Sequence, residues 1–310
     1  MKRHHILVTG GTGLLALNWA CAMRGQSEVT LGTHRHGARL PGVNSLRVDL
    51  SDVDTLRRQI SQIGADLIVH TAGLTNVDRC EEMPAEARHA NAELARNVAE
   101  VAAAAGIRLI HVSTDHLFSG IHQFYAEQAT PEPLNEYARS KLLAEQWVQQ
   151  ACPDALILRT NFFGWGYAGR QSFSDWIIYS LRAGRPLPLF DDVFITPILA
   201  DALAHAAHAL VDQGASGIFN LVGGERISKY DFGTHLAAAF GLPLELIHRA
   251  KVEQAHLHAV RPKDMSLDNS RLRQAIAYAP GSLETWFADL REQERQGRRE
   301  ELFDAVFEAP

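Results

Sequence analysis

The run His5-Ile6-Leu7-Val8-Thr9 passes directly into Gly10-Gly11-Thr12-Gly13 and then into an apolar stretch from Leu14 to Met23. A short apolar run, a glycine turn and an apolar helix constrain the chain more than any other feature, because this order makes a site for a dinucleotide. Glycines let the backbone turn sharply and approach a pyrophosphate with no Cβ in the way. The helix start then offers free N–H groups and a partial positive charge. The spacing reads either as Gly10-x-x-Gly13-x-x-Ala16 or as Gly11-x-Gly13-x-x-Ala16, with small Ala16 still allowing close helix–strand packing. A plain tight turn would use glycines too; the strand before and the helix after favour the cofactor reading.

At 310 residues the chain is long enough for one large or two modest domains, and 46% hydrophobic content supplies a sizeable core. A net charge of −6 argues against nucleic acid as a partner, although 15 histidines would offset part of it in mild acid. Cys21, Cys80 and Cys152 are widely spaced and form no C-x-x-C pair, which reads as reduced thiols in a cytoplasmic protein rather than a disulfide frame or a zinc site. The first strand begins almost at Met1, leaving no room for a leader, and no apolar run is long enough to span a bilayer.

Strands alternate with helices along the first half. Strands are expected at Glu28 to Gly32, Ser45 to Val48, Asp66 to His70, Arg108 to Val112 and Ala155 to Leu158. Helices are expected from Ser51-x-x-Asp54 to about Ile63, from Pro84 unbroken to Ala105 with Gly106 closing it, and from Asn135 to Gln150. This alternation implies an α/β fold of Rossmann type, a doubly wound parallel sheet. After Gly164 aromatics and short loops take over. A helix from about Ile198 to Val211 and a strand at Gly217 to Val222 look like a return to the sheet, and Ser228 with Asp231 caps a helix to Phe240. The expected organisation is a Rossmann domain over residues 1–164, rejoined by 197–222, with 165–196 and 223–310 forming a smaller interleaved lobe. The tail after Leu290 reads as a charged, solvated helix.

The second strand ends Gly32-Thr33-His34-Arg35-His36. An NAD site places a carboxylate about here for the ribose 2′-hydroxyl. None is present, and Arg35 would attract a 2′-phosphate in bidentate fashion, so NADP(H) is favoured over NAD(H), with His34 beside it. The plain alternative is a surface arginine on a loop.

Tyr137 and Lys141 stand four apart in an expected helix, one turn apart on one face. A free phenol is a poor acid or base at neutral pH. A neighbouring ammonium and an oxidised nicotinamide would favour the phenolate. Alone, Y-x-x-x-K is ordinary helix surface. It gains weight behind a strand ending Ser113-Thr114-Asp115, where open α/β sheets bind ligands and the Thr114 hydroxyl can bond a carbonyl oxygen.

Together these residues make the chain resemble an extended short-chain dehydrogenase/reductase. The closer similarity is to the dTDP-4-dehydrorhamnose reductase branch, and it rests on His70-Thr71-Ala72-Gly73-Leu74-Thr75-Asn76-Val77-Asp78, Ser113-Thr114-Asp115-His116-Leu117-Phe118-Ser119-Gly120 and Leu158-Arg159-Thr160. Asp231-Phe232-Gly233 and Arg261-Pro262-Lys263-Asp264 add to it. The resemblance runs to about residue 275. It implies that Tyr137 protonates a carbonyl oxygen as hydride arrives, that Lys141 holds the nicotinamide ribose, and that Thr114 orients the carbonyl. It further implies that Gly10, Thr12, Gly13, Leu14, Leu15, Asp49, Leu50, Thr71, Ala72 and Gly73 border the cofactor. On the substrate side it implies Thr75, Val77, an aromatic at Phe162 or Phe163, and Arg261 for a nucleotide diphosphate.

The position after Asp115 departs from the branch, which commonly carries Tyr where this chain has His116. Dehydratases resembling the fold carry Glu there, so His116 argues against water loss; it remains a candidate substrate contact or a hydrogen-bonded structural residue. His70 reads as structural. His205 and His208 fall at i and i+3 with no third ligand, so no metal is expected. The resemblance thus implies an NADPH-dependent reductase of a nucleotide-activated 4-keto-6-deoxy sugar, as in dTDP-rhamnose biosynthesis, with a second copy of the chain as a candidate partner. The alternatives are another extended reductase or epimerase, and a non-catalytic NADP-binding regulatory subunit such as that of methionine adenosyltransferase.

Overall fold

The computed structural model describes residues 4–255, 257–276 and 281–308. Seven strands form one parallel sheet: β1 His5–Thr9, β2 Glu28–Thr33, β3 Asn44–Arg47, β4 Leu67–His70, β5 Arg108–Val112, β6 Leu156–Arg159 and β7 Gly217–Asn220. Their spatial order is β7-β6-β5-β4-β1-β2-β3. The order reverses between β1 and β4, and their carboxyl ends frame the crevice that doubly wound sheets use for ligands. The expected parallel, doubly wound architecture is the one observed.

Both faces of the sheet are covered, which is why its central strands are continuous apolar runs rather than alternating ones. On one face Leu7, Ile68, Leu109 and Ile157 pack under the helices Val53–Ile63, Leu94–Ala105 and Glu136–Ala151. On the other, Ile6, Val8, Val69 and Ile110 share a larger core with the helices Leu14–Met23 and Ala200–Asp212. That core continues without a break into Phe163, Phe232, Trp286 and Phe287. Beyond the sheet lie small two-stranded pairs, Ile198–Leu199 with Phe162–Phe163, Ile247–Ala250 with Leu187–Phe190, and Phe194–Ile195 with Ile227–Ser228.

Three local expectations are corrected. The helix at Val53 is capped by Asp52, which accepts from the Thr55 N–H at 2.7 Å, rather than by Ser51. The helix expected unbroken from Pro84 to Ala105 contains a π-turn, His89–Glu93. Its composition reads as plain helix, but the widened turn carries Asn91 inward, a displacement helices often reserve for functional positions. Asn76 caps a short helix Val77–Glu82 by accepting from Arg79 N–H at 3.0 Å.

The tail is not simply solvated. After the helix Leu283–Arg295 come a second helix, Arg298–Phe303, and a strand, Val306–Glu308; Leu302 and Ala305 are buried in the main core. Its charges conceal this because they pair inward, Glu294 with Arg182 and Glu301 with Arg24.

Candidate active site

Gly10 has φ +74°, and a Cβ there would stand 2.7 Å from the Ala72 backbone. Glycine is therefore required on two counts, conformation and clearance. Gly13 precedes the helix Leu14–Met23 without a side-chain cap, so the first-turn N–H groups have no side-chain acceptor there. Gly10, Thr12, Gly13, Leu14 and Leu15 line a cleft of about 480 Å³ together with Thr71, Ala72, Gly73, Thr75, Tyr137, Lys141 and Phe162. A second cavity of about 220 Å³ continues from Gly10, Thr12 and Ala72 to Thr33, His34, Asp49 and Leu50. The two share the glycine turn, giving a groove with the shape and the backbone donors to hold an extended dinucleotide. Asp49 also accepts from the N–H and hydroxyl of Ser51, so it is a turn residue and a wall residue at once.

Tyr137 and Lys141 are buried on the helix Glu136–Ala151, whose start is fixed by Asn135 accepting from the Ala138 N–H at 2.9 Å. The Thr114 hydroxyl donates to Asp115 Oδ1 at 3.3 Å and, although it is not among the residues that line the cleft, favours the Tyr137 phenolate. Burial outweighs this and pushes the phenol up to about 12. Lys141 donates to the Val112 carbonyl at 2.7 Å, one helix turn along the same cleft wall. A phenol that keeps its proton at neutral pH is the form a carbonyl reduction consumes. Burial pulls Lys141 down to about 8, with the Glu145 carboxylate opposing.

Several expected residues lie off the walls of this cleft. Phe163 packs in the core against Phe232 and Phe287, so Phe162 is the aromatic of the pair that lines it. Val77 begins the short helix after Asn76 and packs beside Cys80 and Tyr137, because the cap turns it inward. Arg35 is exposed at the corner after β2, next to His34 but outside the second cavity. Arg261 is half-buried and paired with Asp78 at 3.0 Å. His116 lies edge-on to the Tyr137 ring at 5.5 Å; burial holds its imidazole down to about 3, hence neutral. Beside it the buried Asp115 carboxyl is pushed up to about 7, though it accepts from Asn161 Nδ2 at 2.6 Å.

His70 shares a 2.7 Å hydrogen bond with Thr9 and stacks on His111 at 5.5 Å. His208 lies 3.2 Å from the Trp19 indole nitrogen that donates to it, and no cluster of three metal-ligating side chains occurs among the described residues.

Sequence reasoning missed Asn91, which accepts from Leu74 N–H at 2.7 Å and donates to Ser140 Oγ at 2.9 Å, stapling the loop after β4 to the helix that carries Tyr137. It also missed Tyr167, Arg170 and Phe173 on the cleft wall, with Arg170 donating across to Thr75. The buried pair Arg159–Glu145 at 2.8 Å, which also takes a bond from Ser113, was visible only as the Arg159 of the Leu-Arg-Thr motif. Lys229 sits with its ammonium 5.7 Å from the Phe173 ring and 5.9 Å from Phe190, with no carboxylate in ion-pair reach among the described residues.

Residues 4–295 match the family described as the RmlD substrate binding domain. The chain belongs to this family. It is thereby an extended short-chain dehydrogenase/reductase and an NAD(P)-dependent oxidoreductase. Among its relatives are a Haloferax volcanii protein named "Probable low-salt glycan biosynthesis reductase", 32% identical over 92% of this chain and 97% of that protein, and the Escherichia coli dTDP-4-dehydrorhamnose reductase, 30% identical over 74% of this chain and 80% of that one. The Danio rerio methionine adenosyltransferase 2 subunit beta is 30% identical over 86% of this chain and 83% of its own length. A Bacillus anthracis dTDP-4-dehydrorhamnose reductase in complex with NADP superposes with a TM-score of 0.83 at 21% identity, covering 94% of this chain and 99% of its own. Other similar folds are in complex with NAD. No helix among the described residues is long and apolar enough to cross a membrane.

Proposed function

We propose that the protein reduces the 4-keto group of a nucleotide-activated 6-deoxy sugar with NADPH. The observation that carries this is the pair Tyr137 and Lys141, one turn apart on the wall of the cleft that begins at the glycine turn. The relatives named as dTDP-4-dehydrorhamnose reductases support the substrate class. A nicotinamide held in this cleft supplies the hydride.

Thr114 and Tyr137 hold the carbonyl oxygen from two sides, and the phenol gives it the proton as negative charge develops. The Lys141 ammonium, anchored to Val112, holds the ribose hydroxyls and favours the phenolate left behind. Arg35, free of ion pairs among the described residues, supports NADP(H) over NAD(H) through a 2′-phosphate. Residues 165–196 and the part of 223–310 that precedes the C-terminal tail serve as the substrate lobe, with Phe162, Thr75, His116 and Arg261 on the sugar-nucleotide side.

NADPH consumption with a panel of 4-keto nucleotide sugars tests the assignment. Turnover of a 4-keto-6-deoxy member is expected. Turnover confined to a different carbonyl class would replace the substrate while leaving the chemistry.

A further inference from the structure

The family match ends at residue 295, but the chain continues into the cofactor half. Arg298 reaches Asp201 at 3.5 Å, and Glu301 forks onto the guanidinium of Arg24, the residue that ends the helix Leu14–Met23. Leu302 then drops into the core and fixes the direction of the last residues. The Phe303 carbonyl accepts from Ala168 N–H at 3.0 Å, in the tight turn that carries Tyr167 and Arg170 on the cleft wall. Two residues later the Ala305 carbonyl accepts from Arg39 N–H at 2.8 Å. Val306–Glu308 then pairs antiparallel with His36–Ala38, placing Phe307 opposite Gly37. A Cβ on Gly37 would meet the Phe307 ring at 2.5 Å, and the Arg39 guanidinium lies 5.5 Å from that ring.

His36–Ala38 starts one residue after Arg35, and its ladder partner is Val306–Glu308. A three-residue strand has too few bonds to hold its own shape without a partner. The corner His34–Arg35 is thus held between β2 on one side and a strand supplied by the far end of the chain on the other.

We infer that this C-terminal strand is a specificity element for the cofactor: by fixing the His34–Arg35 corner, it sets the guanidinium where a ribose 2′-phosphate is read. The inference rests on the NADP reading above. A guanidinium on an ordered corner loses little freedom on meeting a phosphate, whereas one on a loose corner must be ordered first. NADH, which lacks that phosphate, does not depend on the corner in the same way.

The test compares Kd for NADPH and for NADH in the full chain, in Phe307→Ala and in a chain ending at Phe303, with thermal melts to check folding. Phe307→Ala removes the ring from Gly37 without altering any residue of the glycine turn or the cleft, so it remains informative if the shortened chain fails to fold. NADPH binding is expected to weaken about tenfold or more and NADH binding less than threefold, with 2′-AMP and 5′-AMP dividing the same way. Equal weakening of both cofactors would make the strand merely structural and overturn the inference. So would a wild-type preference for NADPH that survives both changes. A wild-type chain that binds the two cofactors equally overturns the NADP reading itself, and the inference with it.

Discussion

The sheet half and the small-pair region meet in the same cleft but build their walls differently. The sheet half presents backbone: a glycine turn, a helix start and the Ala72-Gly73 step, placed by seven strands in register. The other region presents side chains from loops and short pairs, among them Phe162, Tyr167, Arg170 and Phe173. A wall of backbone accepts any molecule with the right diphosphate geometry, so one cofactor chemistry can persist while the loops opposite change substrate. Tyr137 belongs to neither wall alone: the sheet's helix carries it, and it lines the cleft where the two regions face each other.

The largest effect is therefore expected where that division is sharpest. Tyr137→Phe should lower kcat by about two to four orders of magnitude, the usual cost of losing a proton-transfer group, while the NADPH Kd changes less than about twofold. Single-turnover rates and equilibrium titration separate the two. A kcat within tenfold of wild type would mean that another group delivers the proton, and Asp115, pushed up to about 7, is the group to substitute next.

Arg35→Ala acts wholly within the cofactor half. Losing a charge-assisted contact to phosphate should weaken NADPH by about ten- to a hundredfold and leave NADH nearly unchanged. Similar losses for both cofactors would show that the corner matters for shape rather than for charge.

The same division explains what could be read from the residues alone. The β1–turn–helix unit, the strand Arg108–Val112 and the cap at Ser228 fall where local pattern places them, because buried parallel strands and capped helices are written in short-range sequence. The π-turn at Asn91 was not readable: in a stretch of alanines and polar residues the phase shift from one extra residue leaves little apolar pattern to mark it, and only its bonds to Leu74 and Ser140 justify it. The tail misled for another reason. Arg24, Asp201 and Arg182 neutralise its charges across long stretches of chain, and no local pattern records such pairing. Phe162 and Phe163 are neighbours of one type, and only strand pairing decides which faces the cleft.

Lys229 sharpens the comparison from the loop side. It opens the helix Lys229–Ala239, where the helix dipole disfavours a cation, and it has no ion-pair partner among the described residues. Burial pulls its ammonium down, with Asp115 opposing. Such a cation costs stability unless something else uses it. Lys229→Met should raise the KM of the carbonyl substrate about tenfold, change kcat and the NADPH Kd by less than threefold, and leave the melting temperature unchanged or higher. A lower melting temperature with an unaltered KM would assign the lysine to packing against Phe173 and Phe190.

The smallest effect concerns stability and pH, and it comes from Lys141. The groups near its ammonium are the Val112 carbonyl, the Glu145 carboxylate and the buried, neutral imidazoles of His70 and His111. Its pKa is about 8 in the fold, against 10.5 for the free side chain. Between those values the unfolded chain holds a proton that the folded chain has released, so stability rises with pH across this window. Below about pH 8 the cost of burying the charge is complete and constant. Lys141→Met lacks this titration. The melting temperature of the wild type should therefore gain a few degrees on the variant as pH rises from 8 to 10.5, and the difference should be flat from pH 6 to 8. A difference that stays constant through pH 10 would mean that the ammonium keeps its proton in the fold, with Glu145 outweighing burial. The cofactor half would then hold its ribose with a permanent charge rather than a titratable one.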